Sequence, residues 1–338
     1  MGERLLTVKN LKTYFSLASG TVKAVDGVSF TLDKGEILGI VGESGCGKSV
    51  TASSIIRLLP PKIGNIVDGE INFEGRDVRA LSGKELLKFR GRDISMIFQN
   101  PMTSLDPVFK IGSQMVEMIR THHSEISREE ARKISIEALR KVGIPNPESR
   151  INSYPYELSG GMCQRVIIAM AICCEPKMMI ADEPTTALDV TVQSQVLKLL
   201  RGLQKEKGVA ILMITHNLGI VWEMCDSVMV MYAGKTVEYT SAKELYRNPL
   251  HPYTWGLLDS MPKLSDDTNK RLVAIDGMPP DLRLTGTCCN FYNRCPYASP
   301  ICMEKVPELT ETEPGHFVAC HRQNGKTALK RGERNGGN

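Results

Sequence analysis

Eight residues, Gly42-Glu43-Ser44-Gly45-Cys46-Gly47-Lys48-Ser49, fit the pattern G-x-x-x-x-G-K-[ST] in full. The chemistry needs these residue types. Glycines let the backbone turn so that successive N–H groups face inward onto phosphate oxygens. A helix that starts here adds the positive end of its dipole. Lys48 is the expected counter-charge for the β- and γ-phosphates of a nucleotide, and the Ser49 hydroxyl is an expected ligand of Mg²⁺. An accidental Gly-rich turn is the competing explanation. The apolar run EILGIVG before the loop and the helical pattern KSVTASSIIRLL after it weigh against accident. Cys46 reads as a small loop filler.

Two other segments could work with this loop. In KMMIADEP, Asp182 and Glu183 stand at the end of an apolar strand. The first carboxylate can hold Mg²⁺ and the second can orient or polarise the attacking water. Alone, such a pair is a solvated turn; beside a phosphate loop it is the expected partner. In LSGGMCQR, Ser159 can cap the following helix, and Gly160 and Gly161 expose backbone N–H groups to an anion. By itself this segment is equally well read as a capped helix.

The elements that must position these residues alternate along the chain. Residues 1–34 read as antiparallel strands turning at Ala18-Ser19-Gly20. GEINFEG and ISMIFQNP are short strands, the latter broken by Pro101. From about 108 to 142 the pattern is helical and rich in charge. KMMIADEP and VAILMITH fit interior parallel strands flanked by helices. The repetition predicts an α/β core, with an antiparallel β subdomain and a helical insertion at about 100–165. After His251-Pro252-Tyr253 the periodicity fades and Pro, Gly and Cys rise, so a boundary is expected near 250. Residues 251–325 read as a small Cys-rich C-terminal domain, and 326–338 as a flexible tail.

Composition narrows the classes. Of 338 residues, 42% are hydrophobic and 24% charged, which excludes a disordered chain, a collagen-like fibre and a polytopic membrane protein. No apolar run approaches the ~18–20 residues of a membrane helix. The start MGERLLTVKN has no apolar h-region, so secretion is not expected. A net charge of +4 is too weak to argue for a nucleic-acid partner. The chain has ten cysteines, and in a reducing compartment clustered cysteines hold metal more often than they form disulfides.

Taken in order, these motifs resemble those of the ATPase subunits of ATP-binding cassette (ABC) transporters, over essentially the whole chain. GESGCGKS is similar to the Walker A motif, LSGGMCQR to the signature motif and MMIADE to Walker B. Gln99 in IFQNP resembles the Q-loop glutamine, Ala187-Leu188-Asp189 the D-loop, and His216 in ITH the switch histidine. The resemblance implies a P-loop ABC ATPase core acting as a head-to-tail dimer. ATP then lies between residues 42–50 of one subunit and Ser159, Gly160 and Gly161 of the other. It also implies catalytic work by Glu183, His216, Gln99 and Lys48, and Mg²⁺ held through Ser49, Gln99 and Asp182. An aromatic near the start is expected to stack on adenine, Phe15 first and Tyr14 second. Two positions depart from the pattern. Met162 stands where Gln is usual, and Val50 where a hydroxyl residue is common.

IFQNPMTSLDPVFKIGSQ, NPLHPYTWGLL and GMPPD resemble the dipeptide/oligopeptide importer ATPases, D-type subunit. That subgroup implies a second, different ATPase subunit, two transmembrane permease subunits and an extracytoplasmic binding protein acting indirectly. It places the chain peripherally on the cytoplasmic face of the membrane. Cys289, Cys295, Cys302 and Cys320 are spaced C-x5-C-x6-C-x17-C. Four thiolates on a loop-rich segment suit zinc or a cubane cluster, and the wide gaps fit the cluster better. The subgroup implies a [4Fe-4S] cluster on these four, with Cys288 a non-ligand neighbour and a structural role. His251, His316 and His321 read as packing or surface residues. The alternatives are an importer ATPase for nickel or an oligosaccharide, a soluble ABC protein acting on nucleic acid or ribosomes, and a metal-binding module with an inactive cassette. The last is opposed by intact Lys48, Asp182, Glu183 and His216.

Overall fold

The computed structural model describes residues 2–186, 188–261, 275–323, 329 and 331. Ala187 of the D-loop segment and most of 326–338 lie outside the described residues. The chain divides into two compact units. One contains Leu32–Ile37 and Ala80–Met213; the other contains Leu6–Thr31, Leu38–Arg79 and the described residues from Ile214 onward.

In the first unit the strands run in the order Ala210–Ile214, Met178–Asp182, Ile94–Ile97. The last two are parallel, with Ile97 opposite Ala181. Every residue of Met178–Asp182 and Ala210–Ile214 is buried. Continuous apolar runs such as MMIA and AILMI are what a strand covered on both faces requires. Three helices, Ile111–His122, Arg128–Lys141 and Gly160–Cys173, form the helical part. Val116, Ile119 and Ala131 make its core, with Met118, Ile126, Ile134 and Cys173 packed against them. Ser127 caps the middle helix by accepting from the Glu130 N–H at 3.1 Å.

In the second unit the strands Arg4–Leu17 and Gly20–Asp33 are neighbours joined by the two-residue turn Ala18-Ser19. Arg4–Leu17 pairs antiparallel with Gly64–Phe73, placing Phe15 opposite Gly64. A second sheet runs in the order Thr310–Glu313, His316–Val318, Lys235–Ser241, Ser227–Tyr232, Ile37–Val41. Only the last pair is parallel, with Val41 opposite Val230. The helix Lys48–Ile55 is tied to the antiparallel sheet by a buried hydrogen bond of 2.8 Å between the Thr13 and Ser54 hydroxyls.

The described residues beyond His251 hold more regular structure than the fading periodicity predicts. Pro252–Asp259 is a helix, with Pro at its start and the His251 ring accepting the Tyr253 N–H at 3.0 Å. Thr310–Glu313 and His316–Val318 form a hairpin that adds two strands beside Lys235–Ser241. These strands are too short for a periodic signal, although TETE, Pro314-Gly315 and HFV do spell strand, turn, strand. His316 and His251 are both buried. Nε2 of His316 sits 2.8 Å from Oε1 of the fully buried Glu238. Glu238 also accepts from the backbone N–H groups of Leu250 and His251 and from the Thr254 hydroxyl. One buried carboxylate therefore joins a strand, a helix start and the hairpin. In the tail, Leu329 is buried and Arg331 pairs with Asp259.

Candidate active site

The phosphate loop connects the buried strand Ile37–Val41 to the helix Lys48–Ile55. Two of its glycines have no substitute. Gly47, the residue before the helix, has φ 106°, and a Cβ there would lie 2.3 Å from the Ala24 carbonyl oxygen. A Cβ on Gly42 would lie 2.2 Å from the Met231 carbonyl oxygen. The loop is thus pressed onto neighbouring backbone, and only glycine fits. Ser44, Gly45 and Ser49 remain exposed. Lys48 is buried within the loop, its ammonium donating to the carbonyls of Gly42 at 2.8 Å and Glu43 at 3.0 Å. Burial pushes the Cys46 thiol above its ordinary pKa, in keeping with a filler. The hydroxyl of Thr51, next to Val50, donates to the Gly47 carbonyl at 3.0 Å and so does not replace the one missing at 50.

Tyr14 and Phe15 leave their strand on opposite faces. The Tyr14 hydroxyl donates to Asp26 at 2.8 Å; burial and this bond push its pKa up to about 12. The Phe15 ring lies against Gly64, where an added Cβ would come within 2.9 Å of it. His216 is exposed, just past the strand Ala210–Ile214.

The second unit therefore holds Phe15, the loop and His216; the first holds Gln99, Asp182, Glu183 and the segment Ser159–Gly161. Asp182 is buried at the end of its strand. Glu183 follows with φ 46°, an unusual backbone state for this residue type, which turns the chain sharply. Its Oε2 accepts from the Gln99 side-chain amide at 2.9 Å and from the Thr186 hydroxyl at 2.9 Å. Ser159 caps Gly160–Cys173 by accepting from the Met162 N–H at 3.3 Å. The fifth signature position contributes its backbone here, so Met in place of Gln leaves the cap intact. A Cβ on Gly161 would meet Val192 at 3.2 Å, which places this helix start against the helix Val190–Lys207 capped by Asp189. Arg165 donates to the carbonyls of Val142 and Gly143 and to Gln195, fixing the signature helix to both neighbours.

Cys289, Cys295, Cys302 and Cys320 are close enough to influence one another's titration, but among the described residues no three of their sulfurs lie within 4.8 Å of one another; the one group of potential metal ligands that does is Glu244, Glu313 and His316. The Cys289 N–H donates to the Cys302 carbonyl at 2.9 Å. Burial raises Cys289 to about 11 and Cys295 to about 12, and the neighbouring thiols add to both shifts. Cys320 is likewise raised, first by burial. Backbone N–H groups of Phe291, Tyr297, Arg322 and Gln323 act in the opposite direction, favouring the thiolates. No disulfide joins any of the ten cysteines. His321 sits 2.9 Å from the Lys305 carbonyl oxygen.

Sequence reasoning did not foresee the residues that hold the loop from outside. The Glu43 N–H donates to the Tyr253 hydroxyl at 2.9 Å, and the Glu43 carboxylate takes both ends of the Arg294 guanidinium at 2.6 and 2.9 Å. A pairing across 251 positions leaves no local signal.

Comparison with known proteins shows the family to which the chain belongs. Residues 25–186 match the ABC transporter family, and residues 237–302 match the oligopeptide/dipeptide transporter C-terminal region. The chain is 50% identical to the oligopeptide transport ATP-binding protein OppD of Bacillus subtilis, over 93% of this chain and 88% of that protein. It is 49% identical to the dipeptide transport ATP-binding protein DppD of the same organism, over 95% of each. OppD of Escherichia coli is 47% identical over 95% of this chain and 94% of that one. The dimeric post-hydrolysis structure of the ATP-binding cassette MJ0796, bound to ADP and Pi, is similar with a TM-score of 0.63 and 27% identity, covering 70% of this chain and 99% of that one. The chain belongs to the ABC transporter ATP-binding proteins, in the oligopeptide/dipeptide branch of that family.

Proposed function

We propose that this chain is the ATP-binding and ATP-hydrolysing subunit that powers a membrane importer of dipeptides or oligopeptides. The observation that carries the reading is near-complete alignment, at about half identity, with proteins named as oligopeptide and dipeptide transport ATP-binding proteins. Residues 42–50 cradle the phosphates, with Lys48 released from its loop carbonyls onto the β- and γ-oxygens. Phe15 stacks on adenine, since the Tyr14 hydroxyl is committed to Asp26. Ser49, Gln99 and Asp182 hold Mg²⁺, whose charge neutralises the phosphate oxygens. Glu183 orients the attacking water, positioned by Gln99 and Thr186. His216 contacts the γ-phosphate. Ser159, Gly160 and Gly161 serve the nucleotide of a partner subunit.

The partners are a second ABC ATPase chain and two permease subunits, with an extracytoplasmic binding protein upstream. Among the described residues no helix is long and apolar enough to cross a membrane; the reading assigns the chain to the cytoplasmic face, held there by the permease subunits. Residues 1–250 act as the nucleotide-binding domain and 251–325 as a Cys-rich extension. Cys289, Cys295, Cys302 and Cys320 are assigned to a [4Fe-4S] cluster by their spacing and number, with zinc as the alternative. Three of these thiols, those of Cys289, Cys295 and Cys320, have backbone N–H groups that stabilise their deprotonated form. Bound there, the cluster supplies a crosslink to a segment with little core of its own.

Reconstitution with the permease subunits and binding protein in vesicles tests the function. Peptide-loaded binding protein should stimulate ATP turnover several-fold and drive labelled peptide into the lumen. Stimulation by nickel or an oligosaccharide, but by no peptide, would reassign the substrate.

A further inference from the structure

The Arg294 side chain is 4% exposed, yet every one of its donors is used. Nε donates to the Asp276 carbonyl at 3.0 Å. One terminal nitrogen donates to Glu43 Oε2 at 2.6 Å and to the Tyr232 hydroxyl at 3.3 Å. The other donates to Glu43 Oε1 at 2.9 Å and to the Ile275 carbonyl at 3.1 Å. The guanidinium also lies 5.8 Å from the centre of the Tyr232 ring. Tyr232 packs against Tyr253 and Phe291, with ring centres 4.6 and 5.1 Å away. Such a planar fork, held at five points, is a rigid strut rather than a flexible surface cation.

What it grips is the second residue of the phosphate loop. Glu43 is held at three groups: its carboxylate by Arg294, its N–H by the Tyr253 hydroxyl, and its carbonyl by Lys48. A free carboxylate at this position would repel a triphosphate and compete with it for the Lys48 ammonium. We propose that Arg294 is a positioning residue for the nucleotide site: it neutralises Glu43 and draws its carboxylate away from the phosphates, so that the segment carrying the cysteine cluster sets the anion affinity of the loop. The proposal rests on the ATP-site reading above. It assigns a role in that site to a residue of the C-terminal region, outside the nucleotide-binding motifs. Arg294 directly precedes Cys295, so the order of the cysteine segment and the state of the loop are joined through adjacent residues.

The test measures binding of a fluorescent ATP analogue with Mg²⁺ to the full chain, for wild type, Arg294→Gln, Arg294→Lys and Glu43→Gln/Arg294→Gln. Thermal unfolding is recorded for each. Arg294→Gln should bind about tenfold or more weakly, the scale of one uncompensated charge near an anion site. Arg294→Lys should recover part of the loss. The double variant should bind at least about fivefold more tightly than Arg294→Gln, because the liberated carboxylate is gone. The deficit of Arg294→Gln should shrink as salt rises. A purely structural arginine would show no charge-dependent rescue and no such salt effect. A double variant as weak as Arg294→Gln, or an Arg294→Gln that binds like wild type, overturns the proposal. Should Arg294→Gln fail to fold, the comparison of Arg294→Lys with the double variant decides. Absence of binding by wild type would instead overturn the ATP-site reading.

Discussion

The side-chain amide of Gln99 donates to the carboxylate of Glu183 across 2.9 Å, joining residues 84 positions apart. Gln99 follows one strand and Glu183 the strand beside it, so the bond closes two neighbouring strand ends. A carboxylate held by the Gln99 amide and the Thr186 hydroxyl is fixed in direction while staying only partly buried. Glu183→Gln should lower ATP turnover by about 10²-fold or more, the usual range for a lost general base, while nucleotide binding persists. Gln99→Ala should lower it less, and the two changes should combine less than additively. Single-turnover hydrolysis in the assembled complex checks this, with the other ATP site inactivated. Normal turnover by Glu183→Gln would refute the role.

A second expectation concerns Gly47. Alanine there meets the Ala24 carbonyl at 2.3 Å and must adopt φ near 106°. The loop has to shift, so ATP affinity should fall about a hundredfold while the far-ultraviolet spectrum stays unchanged. Isothermal titration with Mg-ATP measures it. Gly45 has nothing within 4 Å of an added Cβ, so Gly45→Ala meets backbone strain from φ 78° alone and should cost much less affinity.

These contrasts show what was readable from the chain. The loop glycines, Lys48 and the acidic pair announce themselves because their chemistry demands neighbours in sequence. The buried strands MMIAD and AILMI were readable because full burial leaves an unbroken apolar run. Glu238–His316 and Glu43–Arg294 were not, since a charged residue bound for the interior looks like any surface charge until its distant partner is known. The hairpin of residues 310–318 was overlooked because strands of four and three residues repeat a two-residue alternation too few times to stand out.

The cysteine segment gives a compositional prediction. Protein purified without oxygen should be brown and hold about four iron atoms per chain. Cys289→Ser should lose the visible absorbance and most of the iron. Zinc without iron would replace the cluster by its alternative. Either metal should raise the unfolding temperature of this segment, and a chelator should lower it.

Acid should weaken the fold through His251. Burial lowers its pKa from 6.5 to about 4, outweighing the nearby Glu238 carboxylate. Between these values the unfolded chain takes up a proton that the folded chain refuses. Stability attributable to this group is complete above about pH 6.5 and declines as pH falls toward 4. The total is about 3 kcal/mol. His251→Asn, which keeps an acceptor for the Tyr253 N–H, should flatten that slope in urea titrations run from pH 7 to 4.5. An unchanged slope would contradict the assignment.

The hairpin beside Lys235–Ser241 has one more consequence. Without it, that seven-residue strand would present a bare row of peptide groups, with Val237 and Tyr239 alternating with Thr236, Glu238 and Thr240, ready to recruit strands from other chains. With it, the outermost strand is TETE: four residues long, exposed along most of its length and carrying two carboxylates. Short acidic margins discourage edge-to-edge growth. The C-terminal segment therefore also guards solubility, and chains cut before Thr310 should scatter light on concentration while the intact chain stays clear.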